Sequence, residues 1–200
     1  MKVVLYGVGA IGSNLFVSLI KQFPEWKYVG IDFDIVEARN LRTQAYFREL
    51  VGQPKAAALM AVGMRFIQKL NYTPIKIKIT TAHIPFMEHL EPSSEKKLWI
   101  DCFDNSESRK ILKELAAQNS NVELLHLGFS PQYSAECIWD QKYDVPNDVD
   151  QTQADICSMV DAVGFIQMFI GHVMMNINQW AETGKKQSFL ITNKQKYVRL

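Results

Sequence analysis

A chain of 200 residues, 48% hydrophobic and 22% charged, has the size and composition of one soluble α/β domain with a real core and little more. A net charge of +1 leaves no electrostatic footprint for nucleic acid or anionic lipid, and Lys76, Lys78, Lys185, Lys186, Lys194 and Lys196 read as solvated faces. Three widely spaced cysteines, Cys102, Cys137 and Cys157, argue against a disulfide framework and for a reducing cytoplasm.

In chain order, Met1-Lys2 leads straight into a strand, and no signal or transit segment is expected. Val3–Tyr6 is a continuous apolar run before glycines, the pattern of a central parallel strand. Leu15, Phe16, Leu19 and Ile20 then recur at helical spacing between Ile11 and Gln22, and Pro24 closes that segment. Tyr28–Asp32 is a second strand, followed by an irregular stretch from Ile35 to Gln53. Pro54 suits a helix first turn, so a helix is expected from Lys55 to Leu70, and Ile75–Ile79 alternates as a half-exposed strand. Leu98–Ile100 is a strand, Ser106–Gln118 a helix, Val122–Leu127 a strand ending at Gly128, and Ser134–Trp139 another strand.

Asp140 to Asp155 is polar and acidic and reads as a mobile loop. Ile156 to Trp180 is strongly apolar but interrupted by Asp161, Gln167, His172, Asn176 and Asn178. It therefore reads as a helix buried against a sheet or a second subunit, not as a membrane span. Gly184 is the expected C-cap, and Phe189–Thr192 with Tyr197–Leu200 makes a closing hairpin. The sum is one domain, 1–200, with a Rossmann-like three-layer fold. Its sheet is expected to be mostly parallel, with antiparallel strands at the C-terminal side.

Four motifs carry the chemistry. Gly7-Val8-Gly9-Ala10-Ile11-Gly12 permits a tight turn, close approach of backbone to phosphate, and a helix N-terminus aimed at negative charge. Asp32 follows Gly12 by twenty residues, where a carboxylate accepts hydrogen bonds from a ribose. Lys55, behind Gly52-Gln53-Pro54, starts a helix and can reach phosphates held at the glycine turn, a cation that a dehydrogenase does not need. Asp104, in Asp101-Cys102-Phe103-Asp104-Asn105, lies just past a strand end at the expected switch point. A carboxylate facing a triphosphate there suits Mg²⁺.

Through Gly7–Asn14, Asp32–Gln44, Gly52–Lys55 and Asp101–Arg109, the chain resembles the ThiF/MoeB/ubiquitin-activating-enzyme superfamily of adenylyltransferases over roughly Met1 to Glu182. The resemblance implies an ATP site made by Gly7, Gly9, Ala10, Gly12, Asp32, Asp34, Asn40, Arg42, Gln44, Lys55, Asp104, Asn105 and Arg109. Within it Lys55 contacts phosphate and Asp104 holds Mg²⁺. The implied reaction is attack of the C-terminal carboxylate of a ubiquitin-like protein or peptide on the α-phosphate, giving an acyl-adenylate and pyrophosphate. A carboxylate nucleophile needs no general base, and His83, His89, His126 and His172 read as structural.

The chain departs from the family pattern at four places. Thr43 stands where the family's Asn-Leu-x-Arg-Gln segment has arginine, leaving Arg42 or Arg39 to supply a guanidinium. An arginine donated across a dimer from a helix before the first strand is expected to be absent. The paired Cys-x-x-Cys motifs are missing, so no structural zinc is expected. Cys157 precedes Gly164 by the spacing of a reactive thiol in ThiF-like proteins, against the alternative of a buried cysteine. The catalytic set is then Asp104, Lys55, Arg42 and Cys157, in a cytoplasmic homodimer that binds neither nucleic acid nor membrane. A catalytically impaired scaffold of the same fold is the alternative, and an NAD-dependent oxidoreductase the lesser one.

Overall fold

The computed structural model describes residues 1–81, 96–130, 134–140, 143–145, 161–192, 194 and 196–200. The chain runs β1 (Lys2–Tyr6), α1 (Ala10–Gln22), β2 (Lys27–Ile31), two 3₁₀ turns (Ala38–Arg42 and Arg48–Leu50), α2 (Lys55–Met64) and β3 (Tyr72–Ile75). It continues through β4 (Lys97–Asp101), α3 (Ser106–Ala117), β5 (Val122–Ser130), β6 (Ser134–Trp139), α4 (Ala162–Thr183), β7 (Phe189–Thr192) and β8 (Tyr197–Arg199). One sheet holds the strands in the order β3-β2-β1-β4-β5-β6-β7-β8. Pairing is parallel from β3 to β5 and antiparallel from β5 to β8.

Residue alternation in β1 separates two cores. Val3 and Leu5 pack with α1, α2 and α4 on one face; Val4 and Tyr6 pack with Trp99 and with Ile111, Leu112 and Leu115 of α3 on the other. The registers Tyr6↔Ile31 and Tyr6↔Asp101 level the C-terminal ends of β2, β1 and β4, and Asp101↔His126 sets the middle of β5 beside them. The chain winds from β1 outward to β2 and β3, then returns to β4 on the other side, so the switch point lies between β1 and β4.

Helix α4 covers the antiparallel half. Phe165, Phe169, Ile170, Val173, Ile177 and Trp180 bury against Trp139, Phe189 and Ile191, each worth about 2 kcal/mol of apolar transfer. The apolar stripe thus finds its partner within the chain, so this helix supplies no argument for a second subunit. Gly184 closes it at φ 73°, a left-handed turn, with its N–H on Trp180 O. Among the described residues, no helix is long and apolar enough to cross a membrane.

Several boundaries differ from the sequence reading. The alternating Ile75–Ile79 segment enters the ladder only at Ile75, since β2 ends opposite it and Asp32 N–H to Ile75 O is the last bond. Pro74, which lacks a donor, sits on this edge strand as expected. Helix α2 stops at Met64, short of Leu70. The chain folds back so that Leu70 and Phe16 fill the space beside Gly63, where a Cβ would lie 2.5 Å from Leu70 Cδ2. Strand β5 runs on through Gly128 to Ser130, because β6 pairs along it from Leu125↔Trp139 to Ser130↔Ser134. Residues 156–160 of the expected long helix lie outside the described residues, as do His83, His89 and most of the acidic 140–155 segment.

Candidate functional site

At the C-terminal edge of β1 the glycines have three different tasks. Gly7 adopts φ +87°, and a Cβ there would stand 2.9 Å from Cys102 O, so the turn presses against the loop after β4. A Cβ on Gly12 would stand 2.1 Å from Gly7 O, so glycine lets α1 seat directly on the turn. Gly9 is different: beside it a Cβ would meet nothing nearer than Gln44 Nε2 at 4.0 Å. Gly9 is the N-cap of α1, no side chain caps the helix, and no acidic residue occupies its first turn. The first amides and the positive end of the helix therefore stand beside an opening.

The turn is braced from both sides. Val8 N–H donates to Asp32 Oδ2 at 2.9 Å, and Val8 O accepts from Tyr46 Oη at 2.7 Å. Asp32 Oδ1 accepts from Asp34 N–H at 2.9 Å, which leaves each carboxylate oxygen a further lone pair. Burial raises the Asp32 pKa, while the Val8 and Asp34 amides and Lys55 pull it down. Ser13 Oγ donates to Gly9 O at 2.6 Å and accepts from Ala45 N–H at 3.0 Å.

Lys55 arrives through a short zipper. Val36 N–H to Gln53 O and Gly52 N–H to Val36 O, both 2.8 Å, pair the two segments, and Gly52 makes the reversal at φ +89°. Lys55 Nζ then lies 2.9 Å from Asp34 Oδ2, with the lysine side chain 9% exposed and the carboxylate 47%. The 3₁₀ turn Ala38–Arg42 carries Asn40 and Arg42, and Gln44 follows just after it, in unequal roles. Asn40 is buried and its Oδ1 accepts from Glu37 N–H at 2.9 Å, a capping bond. Arg42 is exposed, and Arg39 pairs with Glu37. Thr43 is buried, its carbonyl taking Asn14 Nδ2 at 2.8 Å. Gln44 Oε1 is buried without a hydrogen-bond partner, on the side chain nearest the open flank of Gly9.

Beyond β4, Asp104 is exposed. Asn105 caps α3, accepting Ser108 N–H at 2.8 Å. Arg109 turns inward: Nε donates to Phe103 O at 2.9 Å, NH2 to Leu127 O at 2.8 Å and NH1 to Tyr143 Oη at 2.6 Å. Burial opposes its charge, but Asp101, Tyr143 and Glu136 hold its pKa above the usual value. Burial pushes the Cys102 thiol well above the ordinary cysteine value. Cys157 lies outside the described residues.

The structure thus brings Gly7, Gly9, Ala10, Gly12, Asp32, Asp34, Gln44 and Lys55 together beyond the C-terminal ends of β1 and β2. Asn40 and Asn105 serve as caps beside this group, and Arg109 serves the loop behind it. Sequence reasoning missed Tyr46, Ser13 and Asn14 as braces. It also missed the centre around His126, whose Nδ1 is 2.7 Å from Asp101 Oδ2 and Nε2 3.2 Å from Asp140 Oδ1. The sequence carried one usable signal for it: Asp101 directly follows the strand run Leu98–Ile100, and His126 lies within the strand run Val122–Leu127.

The model of the ThiF family matches residues 1–178. The chain belongs to the ThiF family. No curated protein matches it in sequence. Among solved structures it is similar to PaaA, with a TM-score of 0.74 at 16% identity over 100% of this chain and 63% of that one. It is similar also to Escherichia coli MccB with MccA-N7isoASN (TM-score 0.74, 15% identity, 100% of this chain and 64% of that chain). MccB with ATP gives 0.73 at 16% identity, over 100% of this chain and 63% of that one. At these identities the likeness is one of fold, and the chain spans less than two thirds of the length of each of these relatives. The ThiF-family chain has the Rossmann-like α/β architecture of these neighbours, with antiparallel strands at its C-terminal side.

Two observations fit a nucleotide in its cradle. The flank of Gly9 that any side chain would fill is open, and the Gln44 amide beside it holds an oxygen that no protein group satisfies.

Proposed function

We propose that this ThiF-family chain adenylates the C-terminal carboxylate of a small protein or peptide, with ATP as co-substrate and Mg²⁺ as counter-ion. The observation that carries the reading is the open Gly9 flank at an uncapped helix end, with the Gln44 amide and its orphaned oxygen beside it and Asp32 bonded to the preceding Val8 N–H. In this reading the first amides of α1 donate to the phosphates, Lys55 leaves Asp34 to follow them, and Asp32 accepts from the ribose hydroxyls. Gln44 Oε1 accepts from a nucleotide donor. Mg²⁺ supplies charge neutralisation at the phosphate under attack. Asp104 is the residue that would hold it. Catalysis is then orientation plus electrostatic stabilisation, with no proton to remove from the nucleophile.

MccB is known in complex with ATP, which supports the choice of nucleotide. Its complex with MccA-N7isoASN supports a second macromolecular or peptide substrate in the same fold. A homodimer and a cytoplasmic setting belong to the same proposal.

A second reading, a scaffold without catalysis, draws on Thr43, buried with its carbonyl held by Asn14 where the family arginine is expected. Calorimetric titration with Mg·ATP, with NAD in parallel, separates the readings. Binding of Mg·ATP whose magnesium dependence Asp104→Ala removes supports adenylation. Binding of neither ligand leaves the scaffold, and binding of NAD alone returns the oxidoreductase.

A further inference from the structure

Outside the glycine cradle, a cluster of buried polar groups lies behind the loop that carries Asp104. His126 of β5 is fully buried at the level of the β4 end, facing Asp101 in register. Both ring nitrogens meet carboxylates, Asp101 on one side and the partly exposed Asp140 on the other. The Tyr143 ring stacks on the imidazole at 3.8 Å between centroids. Arg109 from α3 lies 3.6 Å from Asp101 and 4.0 Å from Glu136 of β6, so the neighbours of the imidazole on every side are charged or hydrogen-bonded.

One route from the cluster to the loop runs through Phe103. Asp101 Oδ2 takes His126, and its other oxygen, Oδ1, accepts Phe103 N–H at 2.9 Å. Phe103 O in turn accepts the Arg109 guanidinium. Both peptide planes of Phe103 are therefore tied to buried groups, and the second of them is the amide link to Asp104. A carboxylate on an exposed loop keeps a fixed direction only if its backbone is held, and here the holding groups lie beneath it.

We infer that His126 is a positioning residue for Asp104, acting through Asp101 and the clamped Phe103 peptide. This rests on the reading of Asp104 as the magnesium carboxylate. His126 touches neither nucleotide nor metal; it orients Asp101, which orients the backbone that presents the ligand. Groups of this kind behind a metal ligand change metal affinity about 10–100-fold when removed. Asparagine at this position keeps a donor where Nδ1 stands, whereas glutamine places its donor toward Asp140 and takes the imidazole's donor away from Asp101 Oδ2.

The experiment uses the full chain as wild type and as His126→Asn, His126→Gln, His126→Leu and Asp104→Ala. ATP binding is measured by calorimetry across a magnesium series and in EDTA, with hydrogen exchange at the Phe103 amide. His126→Gln and His126→Leu should raise the magnesium concentration for half-saturation about tenfold or more and speed Phe103 exchange. His126→Asn should stay near wild type in both, and ATP affinity in EDTA should be the same in all. The glutamine variant keeps a polar contact in the cavity, so the test survives if the leucine variant fails to fold. An unchanged magnesium midpoint and unchanged Phe103 exchange in His126→Gln overturn the inference while leaving Asp104 in place. Magnesium-dependent binding that survives Asp104→Ala overturns the reading of Asp104 and this role with it. A wild type that binds no ATP at any magnesium concentration overturns both as well.

Discussion

Two strand-to-helix turns lie side by side beyond the C-terminal ends of the neighbouring strands β1 and β4, and they treat their polar groups in opposite ways. After β1, helix α1 begins at Gly9 with no side-chain cap, an open flank and a buried unpartnered amide oxygen nearby. After β4, helix α3 begins at Asn105, which caps it, above a cluster in which Asp101, His126 and Arg109 are all hydrogen-bonded within the protein. Unmet demand is destabilising in an isolated protein and persists where something else meets it. The first turn is built to receive, the second to hold.

Substitutions can break that contrast. The largest expected effect is Gly12→Ala, whose methyl group would meet Gly7 O; we expect a loss of about 3 kcal/mol, at the top of the overpacking range. Thermal unfolding should register it as a fall of about 6–12 °C. If Gly12→Ala melts like wild type, the turn is looser than described. Next is Asn105→Ala, which removes the α3 cap and should cost about 1 kcal/mol in denaturant titrations without touching ATP affinity in EDTA.

Gly9→Asp sharpens the contrast from the other side. A carboxylate at the α1 N-terminus should stabilise the fold by about 0.5 kcal/mol while eliminating nucleotide binding. A Gly9→Asp protein that still binds ATP would show that phosphate sits elsewhere.

The smallest effect is one of pH. Burial raises the Asp32 pKa above its ordinary value of 3.8, so the protonated carboxyl is the form the fold favours. Stability from this group is full below the ordinary value and is lost as pH rises through the folded value. The ribose acceptor is lost in the opposite direction, as pH falls through that same folded value. ATP affinity should therefore decline with a midpoint above 3.8, and a midpoint at or below it would contradict the burial described.

What the sequence revealed and what it hid follow from distance along the chain. Gly7, Gly9, Gly12 and the Gly52–Lys55 turn were legible because their purpose is local, a backbone angle or a helix start. The alternation of Ile75 to Ile79 was a true signal, still visible in burial, yet the ladder it enters depends on where β2 ends. Tyr46 braces Val8 from 38 residues away and His126 meets Asp101 from 25, and no periodicity announces such pairs. Arg109 shows the same limit inside a motif. Its place after Asp104 and Asn105 was readable, but its direction is set by Phe103, Leu127 and Tyr143, which only the folded sheet assembles.

The Val8 peptide has a consequence for time rather than affinity. Its N–H is held by Asp32 and its carbonyl by Tyr46, so the plane leading into Gly9 is set before any ligand arrives. No loop has to be ordered during capture at that point. Association should then be a single encounter step, linear in ligand concentration with no plateau, and the lifetime of the complex rather than its formation should distinguish one nucleotide from another.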